Sequence, residues 1–170
     1  DYAHYLLAMC FYEGIENEKK DLQPLISAKR EFNYVISNYP DTDFSADSKF
    51  KIDLINEVLA AKEMYLGRHY IKKEKWIPAI NRFKNILEYY ETTIYSEEAI
   101  HRLVEIHYRI GLEGEAKKYA SLLGYNYLSS EWYKKSYKIF NTKYKIQKEV
   151  RKKNQKDKNR LIKKFKKIFE

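Results

Sequence analysis

The sequence predicts an all-α protein made of stacked helical hairpins, and three observations carry that expectation. Strand punctuation is scarce in its 170 residues, with five glycines, three prolines and neither Asn-Gly nor Asp-Gly. Leu, Lys, Glu, Ile and Ala fill long uninterrupted stretches instead. The third observation is Gly67, inside the helix-like run MYLGRHYIKKEKWIPAINRF (64–83). A glycine within a helix costs about 1 kcal/mol relative to alanine, so a close approach of another helix must offset it.

The elements follow in order. A first helix includes LLAMCF (6–11). Pro24 fits a first helical position and opens PLISAKREFNYVISNY, which ends where Tyr39 meets Pro40. From about Ser45 to Lys73 runs a long helix. Its Phe50, Leu54, Val58 and Ile52, Ile55, Leu59 are expected to share one buried face. Pro78 marks the start of IPAINRFKNILEYY. Ser96 is expected to cap the next helix, EEAIHRLVEIHYRI, whose Glu97 and Glu98 suit a positive N-terminus. EGEAKKYASLLGY follows, and a last helix runs from Glu131 into the tail.

Set in pairs, these helices repeat. AKREFNYVISNYP (28–40), AINRFKNILEYYE (79–91) and AKKYASLLGYNYL (116–128) share a leading alanine, then a ring or small residue, then an aliphatic stretch. LLAMCF, LGRHY (66–70) and LVEIH (103–107) precede them. This is the tetratricopeptide layout, two helices per repeat at a period near 34. Ala79 to Ala116 is 37 residues and Ala28 to Ala79 is 51, the surplus lying in 43–59, where the first helix of the second repeat is extended. The predicted architecture is a solenoid of about three hairpins over 1–140 (repeats about 1–42, 43–92 and 95–128, then a closing helix), with a polar insertion around GIENEKKDLQ. Gly67, Ala79, Phe83, Ala28 and Ala116 are the predicted repeat-packing residues. Tyr70, Tyr89 and Tyr119 are expected in the core.

Charge separates a body from a tail. Residues 141–170 hold 13 Lys/Arg and 3 Asp/Glu, a net +10 within a chain of +9, so the body carries −1. Within the tail, Leu161, Phe165 and Ile168, or Ile162, Phe165 and Phe169, share a helical face against lysines. Such a basic amphipathic helix suits an anionic membrane surface or a partner. No apolar run reaches the roughly 18 residues that span a bilayer. Asp1, not methionine, stands first, as expected of a mature or trimmed chain. LLAMC has the outline of a lipoprotein cleavage site, but Met9 is too bulky for one, and Cys10 is expected to be a buried helix cysteine.

Nothing looks catalytic. His4, His69, His101 and His107 form no i, i+4 pair, the single cysteine has no ligand spacing, and there is no glycine-rich phosphate loop. Neither an enzyme, a cofactor nor a metal is expected.

Beyond the generic repeat, DYAHYLLAMCFYEGI, YPDTDFSADSKFKIDLINEVLAAKEMYLGRHYIKKEKWIPAINRF, SEEAIHRLVEIHYRIGLEGEAK and GYNYLSSEWYKKSY resemble the BamD family. These are tetratricopeptide lipoproteins of the bacterial outer-membrane β-barrel assembly machine. The resemblance covers about residues 1–140. Family members usually have five repeats behind a signal peptide and a lipidated cysteine. This chain matches from the third repeat, so the anchor and the repeats credited with recognising unfolded barrels are expected to be absent from it. Glu91 and Leu128 stand where family prolines are common.

The resemblance implies a non-enzymatic scaffold at the periplasmic face of the outer membrane. It would dock the POTRA domains of the central barrel-forming subunit and help hold accessory lipoproteins. Arg82 in AINRF matches a docking arginine, with Arg68, Lys72, Tyr108 and Arg109 as further partner-binding candidates on first helices. Arg82→Glu is expected to weaken docking more than Arg102→Glu. No nucleic-acid partner is expected in that role. The alternative is a tetratricopeptide adaptor whose tail binds anionic membrane or RNA.

Overall fold

A computed structural model describes residues 1–13 and 21–141, and within them every regular element is helical. The helices are α1 (Tyr2–Glu13), α2 (Gln23–Asn38), α3 (Asp43–Lys72), α4 (Trp76–Tyr89), α5 (Ser96–Arg109), α6 (Glu113–Asn126) and α7 (Glu131–Phe140). Consecutive helices pair as α1–α2, α3–α4 and α5–α6, each pair packs on the next, and α7 lies against α5 and α6. This is a tetratricopeptide-like solenoid. The polar insertion falls largely on 14–20 and the basic tail on 142–170, outside the described residues.

Local chemistry sets the ends. Pro24 stands in the first turn of α2, where its missing N–H is harmless. Thr42 caps α3 by accepting the Ser45 N–H at 3.2 Å, and Ser130 caps α7 by accepting that of Tyr133 at 3.0 Å. Ser96 caps nothing. It is the first residue of α5, and its hydroxyl donates to the carbonyls of Tyr90 (3.2 Å) and Glu91 (2.7 Å), tightening the α4–α5 loop.

Helix α3 runs 30 residues, about 45 Å at 1.5 Å per residue. Its N-terminal half closes one core with α1 and α2, built on Ala8, Leu25, Ala28, Phe32, Ile55 and Leu59. Its C-terminal end joins a second core of Met64, Ala79, Ile80, Phe83, Ile86, Ala99, Leu103 and Ile106. The extension of 43–59 thus joins two hairpins with one rigid rod.

The expected buried face of α3 divides. Ile55 and Leu59 are buried and Ile52 and Val58 pack beside them, but Phe50 and Leu54 are exposed. The reason is geometric: Ile52, Ile55 and Leu59 form one i, i+3, i+7 stripe, which meets α1 and α2, and the Phe50–Leu54 stripe lies at its outer edge. Tyr89 is also exposed, and its neighbour Tyr90 packs inward instead. Cys10 is exposed rather than buried, because α1 seats Ala8 against the first core.

Gly67 meets the ring of Phe83. A β-carbon at position 67 would lie 2.5 Å from Phe83 Cε1 and 2.6 Å from its Cζ, closer than atoms can pack. Gly67, Phe83 and Ala79 are all buried here, as are Ala28 in α2 and Ala116 in α6. The helix-propensity loss at Gly67 is therefore offset by seating a fully buried aromatic ring, whose burial contributes about 1.5–3 kcal/mol.

Candidate docking face

Glu98, Arg102, Glu105 and Arg109 stand at i, i+4, i+7 and i+11 of α5, one stripe along its surface. The adjacent flank of the helix, through Ala99, Leu103 and Ile106, is buried in the second core. The stripe runs from buried Glu98 through half-buried Arg102 and Glu105 to exposed Arg109, alongside the end of α3 and beside α7.

A ladder of charges runs through it. Arg68 of α3 grips Glu98 with two bonds, one from Nε at 3.0 Å and a shorter one from Nη2. Arg102 reaches the same Glu98 oxygen from Nε and Nη2 at 3.1 Å, and donates from Nη1 to Glu105 at 2.6 Å. His101 Nε2 lies 3.5 Å from the other oxygen of Glu105, and its Nδ1 lies 2.8 Å from Ser136 Oγ on α7. Partial burial disfavours the Glu105 carboxylate, but His101 and Arg102 together outweigh that and hold its pKa down at about 2.

Aromatic rings flank the ladder. The Arg102 guanidinium lies 5.6 Å from the Trp132 ring centre and the Lys135 ammonium 3.8 Å from it. Arg109 lies 5.3 Å from the ring centre of Trp76. Tyr108 meets Phe140 edge-on, ring centres 5.5 Å apart. Two adjoining hollows open here. One of about 120 Å³ is lined by Ile71, Trp76, Arg102, Glu105, Ile106 and Arg109; the other, about 470 Å³, by Glu105, Tyr108, Arg109 and Ile139.

Of the five predicted partner-binding residues, Arg68, Tyr108 and Arg109 gather on this face. Lys72 is exposed one turn beyond Arg68 on α3. Arg82 does not join them. It is half-buried on α4, where its Nη1 donates to Glu63 Oε1 at 3.0 Å, while Asn85 donates to the other Glu63 oxygen at 2.9 Å. Glu63 and Arg68 are five residues apart, about 140° around α3. So the candidates lie on two faces, one holding Arg82 and one holding the ladder.

Arg102 is also no silent control for Arg82. It holds two glutamates, so Arg102→Glu would place three carboxylates together and disturb the ladder itself. Sequence reasoning missed Trp76, Trp132, Arg102 and both glutamates as members of the face. The signal available was the alternating sign of Glu98, Arg102, Glu105 and Arg109 at helical spacing. Among the described residues, no three His, Cys, Asp or Glu side chains gather as a metal site, and no helix is long and apolar enough to cross a membrane.

Fold and face together define a helical-repeat protein with a charged and aromatic surface suited to binding another protein. Residues 1–122 match the family described as YfiO, outer membrane lipoprotein, and the chain belongs to that family. It is similar to outer membrane protein assembly factor BamD of Rickettsia prowazekii, 46% identical over 138 residues, covering 81% of this chain and 55% of the relative. BamD of Caulobacter vibrioides is 40% identical over 140 residues, covering 82% and 46% respectively. BamD of Vibrio cholerae is 23% identical over 113 residues. The chain spans about half the length of these relatives.

Proposed function

We propose that this chain is a scaffold in the assembly of outer-membrane proteins, acting by docking other proteins rather than by catalysis. The observation that carries the proposal is the 46% identity over 138 residues to a protein named for that role. In this reading the chain works at the periplasmic face of the outer membrane. The POTRA domains of the central assembly subunit are its first partner, and accessory lipoproteins share its surface. Arg82, with Arg68, Lys72, Tyr108 and Arg109, supplies the contacts. The chemistry suits this: Arg82 and Arg68 are held by glutamates and Arg109 lies over Trp76, so their planar donor forks have little freedom to lose on binding.

Arg82 enters such a contact already oriented, since Glu63 holds one edge of its guanidinium. Calorimetric titration of the chain with the POTRA domains of the same organism tests the proposal. Arg82→Glu should weaken binding at least tenfold, about 1.4 kcal/mol. Glu63→Gln, which keeps an acceptor oxygen for the guanidinium but removes its charge, should weaken it less than Arg82→Glu does, and Lys49→Glu, at an exposed site on α3, should be silent. A folded chain that does not bind would remove the proposal.

A further inference from the structure

Four arginines of the described helices α3, α4 and α5 differ in one respect. Arg68, Arg82 and Arg102 each hold a glutamate. Arg109 has no carboxylate within ion-pair distance among the described residues, and its recorded contact is the indole of Trp76 at 5.3 Å. A guanidinium lying over an indole is fixed in orientation while its N–H edges stay open. Arg109 is exposed, so those edges face solvent.

The surroundings make this an electrostatic mismatch. Glu98 and Glu105, the carboxylates of the ladder, are occupied by Arg68, Arg102 and His101. Three arginines against two glutamates leave one guanidinium in excess, and it is Arg109. It also borders both hollows, and the larger one has Tyr108 and Ile139 in its wall. The combination is one open cation beside a hollow that Tyr108 and Ile139 make partly apolar, its other wall being Glu105, already paired with Arg102.

We infer that Arg109 on Trp76 is the seat for an aspartate or glutamate side chain of a protein partner, with a neighbouring apolar side chain entering the hollow formed by Tyr108 and Ile139. The carboxylate accepts from the guanidinium edge, and the ring beneath keeps that edge from turning away. The chain's own tail is a poor occupant: thirteen Lys/Arg against three Asp/Glu give it the wrong sign. The identity of the partner rests on the docking role proposed above; the carboxylate preference does not.

Two tryptophans make the test direct, because their indole N–H signals in a proton–nitrogen NMR spectrum report Trp76 and Trp132 separately. The full chain is titrated with the capped dipeptide amides Glu-Phe, Gln-Phe and Lys-Phe. Glu-Phe should move the Trp76 signal and leave Trp132 still. Gln-Phe should bind roughly tenfold more weakly, the order that one charge-assisted bond at an exposed site carries. Arg109→Gln should abolish the preference, and Arg109→Lys should restore only part of it, because an ammonium lacks the planar fork. Equal responses to Glu-Phe and Gln-Phe, or a response confined to Trp132, would overturn the inference. So would a Trp76 signal that moves on dilution without peptide, which assigns the seat to a second copy, or on deletion of 142–170, which assigns it to the tail. Repeating the POTRA titration with Arg109→Gln separates the two proposals. Binding that this variant leaves intact sinks Arg109 as the partner's seat and keeps docking. Absence of any POTRA binding sinks docking, while the dipeptides still decide the carboxylate preference.

Discussion

The hairpins α3–α4 and α5–α6 are one design executed with different residues, offset by 37 positions. Both turn between helices in the same way. Lys75 N–H returns to Tyr70 O at 3.0 Å and Leu112 N–H to His107 O at 2.8 Å, each pair closing the end of a first helix. Both turns need one residue in the left-handed region. In the later hairpin it is Gly111, at φ +86°, and in the earlier it is Glu74, at φ +55°. Packing differs more. Gly67 and Phe83 become Val104 and Ala120, so volume leaves the second helix and moves to the first. Arg82 becomes Tyr119, which stacks on His107 with ring centres 5.3 Å apart. The backbone path is thus set by turn geometry and total volume, while individual side chains are free to exchange roles.

The largest expected effect breaks this exchange at its tightest point. Phe83→Ala should destabilise the fold by about 3–5 kcal/mol, since Gly67 offers nothing to fill the space. Gly67→Ala should destabilise by about 1–2 kcal/mol despite the gain in helix propensity, because its methyl would overlap the ring. Denaturant titration of both, and of the pair Gly67→Ala with Phe83→Leu, checks the mechanism. A pair no more stable than Gly67→Ala alone would mean that the glycine is not there for the ring.

The second effect is smaller and opposite in sign between the hairpins. Glu74→Gly should stabilise by about 1 kcal/mol by relieving a side chain from left-handed backbone, and Gly111→Ala should destabilise by a similar amount. Thermal melts read both. Equal signs for the two substitutions would show that the turns are not equivalent.

The two hairpins also show what was legible in the sequence. Gly67 and AINRF announced a tight crossing because a glycine inside a helix has few other justifications. The 37-residue offset from Ala79 to Ala116 placed the repeats, and the surplus at 43–59 placed the long helix. What failed was rotational. On a helix that changes partners midway, stripes one residue apart look equally apolar, so Phe50 and Leu54 read as buried, and Tyr89 could not be told from Tyr90. The candidate docking face was half legible. Its arginines were visible singly, but that Glu63 claims Arg82 while no described carboxylate claims Arg109 depends on pairings between helices, which a linear pattern does not contain.

The smallest expected effect concerns the position where the two hairpins carry opposite charges. Arg68 in α3 corresponds to Glu105 in α5, and each is held by an opposite charge on α5. Only the carboxylate side of this exchange titrates in an accessible range. Held at about 2 in the fold, Glu105 is depressed below its ordinary value near 4.5. The stability it adds is therefore complete above about pH 4.5 and is lost as the pH falls toward 2. The side chain is 40% exposed and solvent screens the pair, so its contribution is about 1 kcal/mol. Urea titrations at pH 5 and pH 3, compared between the native chain and Glu105→Gln, isolate it. The native chain should lose about 1 kcal/mol more than Glu105→Gln between those values, with Arg68→Gln still showing the full loss because the bonds of Glu105 to Arg102 and His101 survive. Equal losses in the native chain and Glu105→Gln would mean that the ladder orients the face without stabilising it.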